Sequence, residues 1–561
     1  MLLPRGRYYK ARLNSSLVGF VPHYPSHYRY PSITTPRQIL FLALCGGSDG
    51  VTRESREDVE HNNNISNREN VVVVGASLAG LLVAVAFARA GYYAKVIEKD
   101  DDEEDGCSNC NSNSSNNIDI DNGQRTALAR LRRTRVGTPQ ARHVHTLLAG
   151  GACALDELLP GTLREIEDQH AVKADLTKIF HVNVDGHWLP SSDEGVRSDT
   201  VLCSRPLLEA TVRSRVLQMP GISIESGCKA TSLIIENGAA TGITVRSSKR
   251  RGGSTRDIKA SLVIDASGRG SRFARWIGDA AACGNISADV PQLEILDVGI
   301  TEATLLMKPP DDMPKAAASA AMERIFAKSS EDVAWHRRAV LRCEHSPEKG
   351  RRYGLLYPVE SNLWLVCLAG VNGERPPSDL DGFFEYARSL PDPLIGDLVC
   401  AAEAVQQRAA RISSTRNQRR RWESVDRPVP GYLAFGDALC APNPIYGQGV
   451  SMAAISARAI CAHLTGAGGT LVFNAETCRC MHGVLARSVD GAWIRATSFD
   501  RSRMGGVTLL DRYLTACSRA GLVDRTVRWQ VDRAFSLLEP LRTLWLSPQV
   551  VARVLAAELR R

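Results

Sequence analysis

Val71-Val72-Val73-Val74-Gly75-Ala76-Ser77-Leu78-Ala79-Gly80 is the stretch whose reading decides the fold. Four consecutive valines suit a central parallel strand buried on both faces. Gly75 permits a tight turn after it, a small residue at 77 lets the backbone approach a pyrophosphate, and Gly80 allows close helix packing. Leu78 to Ala90 reads as that helix, closed by Gly91, and Tyr93 to Ile97 as the next strand. Strand, turn, helix and strand within about 30 residues form the unit that opens dinucleotide-binding folds. The helix N-terminus offers unpaired N–H groups and a favourable dipole to phosphates. Ser77 stands where a middle glycine is usual, a departure that its small size tolerates. Glu98 ends the second strand, where a carboxylate accepts ribose hydroxyls and disfavours a 2′-phosphate. Gly75, Ala76, Ser77, Leu78, Ala79, Gly80, Glu98 and its neighbour Lys99 are thus candidate cofactor contacts.

This unit alone suits NAD or FAD. The choice comes from far downstream, where Gly431-Tyr432-Leu433-Ala434-Phe435-Gly436-Asp437-Ala438 reads as a buried strand ending in Gly-Asp-Ala. Pro442-Asn443-Pro444-Ile445-Tyr446-Gly447-Gln448-Gly449-Val450 follows, and then a helix rich in small residues. A strand-end Asp offers a carboxylate to a polyol, and a Pro/Gly loop at a helix entrance offers N–H groups to a carbonyl that gains negative charge. A ribityl chain and a flavin ring supply both partners; NAD needs neither.

These motifs, in this order, resemble the class A FAD-dependent monooxygenases, the family of p-hydroxybenzoate hydroxylase, over roughly residues 70 to 460. The second motif of the resemblance, lying in the chain between the first (Gly75 to Gly80) and the third (Gly436 to Val450), is Val263-Ile264-Asp265-Ala266-Ser267-Gly268-Arg269-Gly270-Ser271-Arg272, similar to the family's Asp-Gly motif but with Ala266 after the aspartate. The resemblance implies that Gly436 and Asp437 meet the ribityl hydroxyls, that Pro444, Gly447, Gln448, Gly449 and Val450 meet the pyrimidine edge of the flavin, and that Arg205, opening the helix Arg205 to Val216, reaches FAD. It links Asp265 to FAD and NAD(P)H; the Ala266 departure leaves NAD(P)H handling in question, and a carboxylate capping a turn is the competing reading.

Arg135-Val136-Gly137-Thr138-Pro139-Gln140-Ala141-Arg142-His143-Val144-His145-Thr146-Leu147-Leu148 matches bacterial flavin hydroxylase-like sequences. In the implied fold it passes beside the flavin ring, with Arg135 or Arg142 in reach of the cofactor. His143 and His145 alternate, so an extended segment points both to one side. They either line the reaction pocket and supply a proton or hold the loop by hydrogen bonds. Family-style chemistry implies reduction by NADH or NADPH and transfer of one O2-derived oxygen to an electron-rich aromatic or isoprenoid substrate. A flavin-dependent reductase or dehydrogenase of an isoprenoid-type substrate and a non-catalytic FAD-binding protein are the rivals. The halogenase stretch Trp-x-Trp-x-Ile-Pro does not occur.

The expected architecture is α/β: a Rossmann-like FAD-binding domain, a mixed β-sheet substrate domain and a helical C-terminal region. FAD-binding segments are expected at 69–161, 260–290 and 428–465, substrate-domain segments at 162–259 and 291–427, and helices at 466–561. Asp185-Gly186 and Asn237-Gly238 read as hairpin turns, as does the pairing of strands around Glu360-Ser361-Asn362. The tract from Asp100 to about Gln124 is low in complexity and cannot bury a core. Residues 1–68 are acid-poor and arginine-bearing at the start. They read either as a transit-like leader to a plastid or mitochondrion or as an extension of a cytoplasmic protein.

A balance of 69 basic against 61 acidic side chains over 561 residues gives a net charge of +8, too mild to argue for nucleic acid. No apolar run reaches the roughly 18–20 residues that span a bilayer. The 15 cysteines are scattered, and Cys107 and Cys110 have no second pair at zinc spacing, so no metal site is expected. The oligomeric state has no sequence signal.

Overall fold

The computed structural model describes residues 70–101, 139–188, 198–247, 253–314, 325–326, 334–344, 350–504 and 507–560. The leader, most of the low-complexity tract and Arg135 lie outside them.

The valine run forms the strand Asn70–Val74, central in a five-stranded parallel sheet. Leu262–Asp265 pairs with it on one side and Tyr93–Ile97 on the other; Tyr432–Ala434 and Ile222–Glu225 complete the edges. Val71, Val72 and Val73 are fully shielded, worth about 2 kcal/mol each in transfer free energy. The helix Leu78–Arg89 follows and is apolar almost all round, because the helix Gly449–Gly466 packs on its far side. That second helix can approach closely because it is built from Gly, Ala and Ser.

The second layer is a nine-stranded mixed sheet. Its centre is the 16-residue strand Leu293–Lys308, antiparallel to Leu363–Gly370 and to Ala410–Arg420. Phe180–Val184 joins it in parallel with Val340–Glu344. The three turns form as expected. Asp185-Gly186, Asn237-Gly238 and Ser361-Asn362 all have positive φ at both central residues, as tight hairpins of right-twisted strands require. The apolar strand residues Leu356, Tyr357, Leu363 and Leu365 are core, not ligand surface.

One expected grouping differs. Residues 222–259 sit with the parallel sheet rather than the large one. Ile222–Glu225 is its edge strand, and the meander Cys228–Lys259 buries Ile243, Val245 and Ile258 against the same core. Alternation of apolar and polar residues predicts a half-buried strand but carries no information about which sheet covers it. Conversely Cys440–Ala441, expected with the FAD-binding segment, pairs with Ala410–Arg420 and ties the large sheet to it.

The C-terminal region is helical, led by Ala475–Met504, whose Cys478, Met481, Leu485 and Val489 enter the core around the parallel sheet. Among the described residues no helix is long and apolar enough to cross a membrane.

Candidate cofactor and substrate site

A cavity of about 660 Å³ runs between the two layers. Gly75, Ser77, Leu78, Ala79, Glu98 and Lys99 line it together with Asp437, Pro444, Gly447, Gly449 and Val450, and Arg205, His143 and His145 join the same lining. Segments 360 residues apart in sequence therefore meet on one elongated space.

The phosphate-turn end follows from local geometry. Gly75 has φ +107, and its N–H donates to the Ile97 carbonyl at 2.8 Å, locking the turn to the second strand. Gly80 lies so close to Gly75 that a Cβ on it meets the Gly75 carbonyl oxygen at 1.8 Å. Both glycines are thus steric necessities of this turn. Ser77 is the helix N-cap, but its side chain makes no capping bond, so the first-turn N–H groups are left without that acceptor. Glu98 is buried; its Oε2 accepts from the Ala76 N–H (2.9 Å) and its Oε1 from the Asp100 N–H (3.1 Å). A carboxylate oxygen has two lone pairs, so a strand-end Glu suits a ribose hydroxyl as an added donor. Ala76 and Gly80 themselves do not line the cavity; they shape its wall.

Asp437 faces Arg269, whose Nε stands 3.3 Å from Oδ2. The same guanidinium donates to the carbonyls of Arg416 and Pro442, at 2.5 and 2.6 Å. Arg269 thereby clamps the second motif to the third, a role hidden in sequence although the residue lies inside a quoted motif. Gly436 sits behind Asp437, outside the cavity lining, with φ +60. Gln448 also turns away from the lining, and its buried side-chain amide has no hydrogen-bond partner among the described residues.

Two further expected contacts, Asp265 and Arg142, do not line the cavity. Asp265 is buried beneath it and accepts from the Ser267 N–H (3.1 Å), from the hydroxyls of Ser267 and Ser271, and from Tyr432 OH (3.3 Å). Burial pushes its carboxyl above the usual carboxylate range, against those hydrogen bonds. It is the turn-capping carboxylate, because the Ala-Ser-Gly turn after it folds back over the strand end. Arg142 is exposed on the far side of its 3₁₀ turn Pro139–Arg142 and does not line the space.

Both histidines line the cavity, and both also make hydrogen bonds within the protein. His145 Nε2 bonds the Gln140 carbonyl at 2.7 Å, holding the loop, and burial brings its pKa down to about 3. His143 Nδ1 bonds Thr304 Oγ1 at 2.8 Å, and burial with the Arg142 charge brings it down to about 4. Both rings are therefore uncharged at neutral pH.

A residue that sequence reading missed altogether anchors the flavin-end loop from below. Asp500, on the long C-terminal helix and fully buried, accepts from Asn417 Nδ2 (2.6 Å), Asn443 Nδ2 (3.0 Å) and Tyr446 OH (2.5 Å). Its only sequence signal is a lone Asp on a helical face otherwise facing core. Asp500→Ala strands those donors, so chemical denaturation should show a loss of about 3 kcal/mol; an unchanged midpoint rejects the anchoring role.

The donor set fits FAD. A glycine turn and helix end suit a pyrophosphate, a buried Glu suits a ribose, a half-exposed Asp suits a polyol, and Gly449 has open space around it at a helix entrance. The comparisons agree. The family model described as FAD binding domain matches residues 70–296. Protein Rv3254 of Mycobacterium tuberculosis is 26% identical over 514 residues, 88% of this chain and 94% of its own length. Kynurenine 3-monooxygenase of Salinispora tropica is 26% identical over 389 residues, 69% of this chain and 70% of its own. Among solved structures, a flavoprotein/dehydrogenase of Cytophaga hutchinsonii superposes with a TM-score of 0.57 at 14% identity, over 88% of this chain and 98% of that one, which is a likeness of fold.

Proposed function

We propose that this chain is an FAD-dependent, monooxygenase-like flavoprotein, an oxygenase that places one O2-derived oxygen on a small aromatic or isoprenoid substrate, with NADH or NADPH as reductant. The observation that carries this reading is the single cavity joining the phosphate turn at Gly75 and Ser77 to Asp437 and Gly447, and reaching the large sheet at Glu302 and Ile412. The kynurenine 3-monooxygenase relative supports the choice of oxygenation over the reductase alternative.

In this reading the first-turn N–H groups and Ser77 hold the pyrophosphate, Glu98 the ribose, Asp437 the ribityl hydroxyls, and the Gly447–Val450 helix entrance the pyrimidine edge. Arg205, at the start of its helix and 3.5 Å from Glu209, faces the same space. The bound flavin supplies hydride acceptance and activation of O2. The protein's share is to position the ring, exclude water and handle protons. The parallel sheet and the large sheet enclose the reaction end, and uncharged His143 and His145 keep a low-dielectric wall there.

The test uses the purified full chain loaded with FAD, NADH or NADPH, and a panel of phenols, quinones and isoprenoids under ¹⁸O2. Reductant oxidation coupled to one labelled oxygen per product molecule is expected. Alkene reduction without label points to the reductase, and bound FAD that neither nucleotide reduces points to a non-catalytic protein.

A further inference from the structure

One acidic side chain on the cavity, Glu302, is not among the expected cofactor contacts. On the strand Leu293–Lys308, side chains alternate so that Ile300, Glu302, Thr304 and Leu306 share a face. Glu302 and Thr304 interrupt an otherwise apolar row, and both are buried. Glu302 lines the cavity. Its neighbours across the sheet, Ala369 and Ile412, have no hydrogen-bonding side chains. His143 Nδ1 is its nearest cationic-capable partner, at 3.9 Å, and that nitrogen is already committed to Thr304. His143 Nε2 bonds no described residue. Glu302 and His143 are both more than nine-tenths buried and both line the one cavity, so a polar ligand there meets a carboxylate and a ring nitrogen side by side.

We propose that Glu302 and His143 form the recognition site for a hydrogen-bond-donating hydroxyl or amino group on the substrate ring, Glu302 accepting from the O–H or N–H and His143 Nε2 making the second contact. The inference rests on the oxygenase reading in taking that ring to be the substrate. Glu302 also takes the proton when the hydroxyl ionises. The O–H bond breaks, its electron pair stays on the ring oxygen, and the proton ends on a Glu302 carboxyl oxygen, with no change of oxidation state. An ionised hydroxyl makes an aromatic ring richer in electrons, which is what oxygen transfer to it requires.

The electrostatics suit that task. Burial pushes the Glu302 carboxyl up to about 7, while the Arg269 charge pulls it down. The groups around the pair are Arg269 from the second motif, the Cys367 thiol on the adjacent strand, Arg142 beside His143, and His145 with Arg205 opposite. Burial pushes the Cys367 thiol far above neutrality, and both histidines are uncharged, so Glu302 is the titrating member near pH 7. The sign follows: above about 7 the carboxylate accepts the donor's hydrogen, and below it the carboxyl keeps its own proton and loses that charge-assisted bond.

Phenol and toluene, nearly equal in size, separate the hydroxyl contact from simple burial. Binding to the FAD-loaded full chain is read from the flavin absorbance and by calorimetry. Phenol should bind about tenfold more weakly at pH 6 than at pH 8, the ratio for a site that requires a group titrating near 7 to be ionised. Toluene should show no such dependence. Glu302→Gln should flatten the phenol profile at the weak level. Independently of any ligand, the infrared carboxyl band of a protonated Glu302 should titrate near neutral pH in the parent protein and be missing in E302Q. Equal binding of phenol and toluene, no binding of phenol, an unaltered profile in E302Q, or no such band overturns the proposal. A protein that binds phenol in this way yet never incorporates labelled oxygen refutes the oxygenase reading alone, and label incorporation with pH-flat phenol binding refutes this site alone.

Discussion

Asp437→Ala is expected to purify with little or no FAD while remaining folded. The carboxylate stands at the end of the strand Tyr432–Ala434, on the cavity and about one-third exposed, with Arg269 as its charged partner. Removing it does not orphan Arg269, because the guanidinium still donates to the Arg416 and Pro442 carbonyls. The fold thus loses one screened ion pair of small worth. A polyol loses a charged acceptor for its hydroxyls, a cost of about 3 kcal/mol or over a hundredfold in Kd. Visible flavin absorbance per protein measures occupancy, and the melting temperature of the cofactor-stripped proteins measures the fold. Full yellow occupancy in the variant contradicts the ribityl role; a collapsed melting temperature shows that the residue is structural instead.

Gly80→Ala should have the second large effect, on stability itself. The added methyl would sit 1.8 Å from the Gly75 carbonyl oxygen and 2.9 Å from its carbon. Neither atom belongs to a side chain that can swing away, and Gly75 is tied through its N–H to Ile97. The helix Leu78–Arg89 must lift from the sheet, losing contacts of Leu81, Leu82 and Val85 with the fully buried core. A cost of about 3 kcal/mol is expected, the upper range for overpacking. Gly466→Ala is the control. It ends the helix Gly449–Gly466 with nothing within 4 Å of the new methyl, so the same substitution should be neutral or slightly stabilising there. Equal denaturation midpoints for both variants reject the steric account.

Locally coded features were legible. The valine run, the glycine turn and the strand to Ile97 form where their residue types put them, because turn sterics and full burial of a parallel strand act over a few residues. The Asp-Gly and Asn-Gly hairpins are legible for the same reason, since positive φ at two successive residues is a local demand. The approach of the third motif to the first is also written in the chain, as a strand-end Asp and a glycine loop at a helix entrance.

Other features required contacts between distant segments. Asp265 reads alike as a cofactor ligand or a turn cap, and only Ser267, Ser271 and Tyr432 closing over it settle the matter. Glu302 looks like an ordinary charged residue in a strand until the loop at His143 covers it, and Asp500 is a lone Asp on a core-facing helical face whose partners Asn417, Asn443 and Tyr446 come from two other elements. The sequence by itself therefore determined the nucleotide-binding unit, the turn positions and the alternation of each strand, since these depend on backbone sterics and nearest neighbours. Tertiary structure alone decided which sheet each strand joined and which buried charges met which partners, because burial and charge pairing are properties of the whole packed chain.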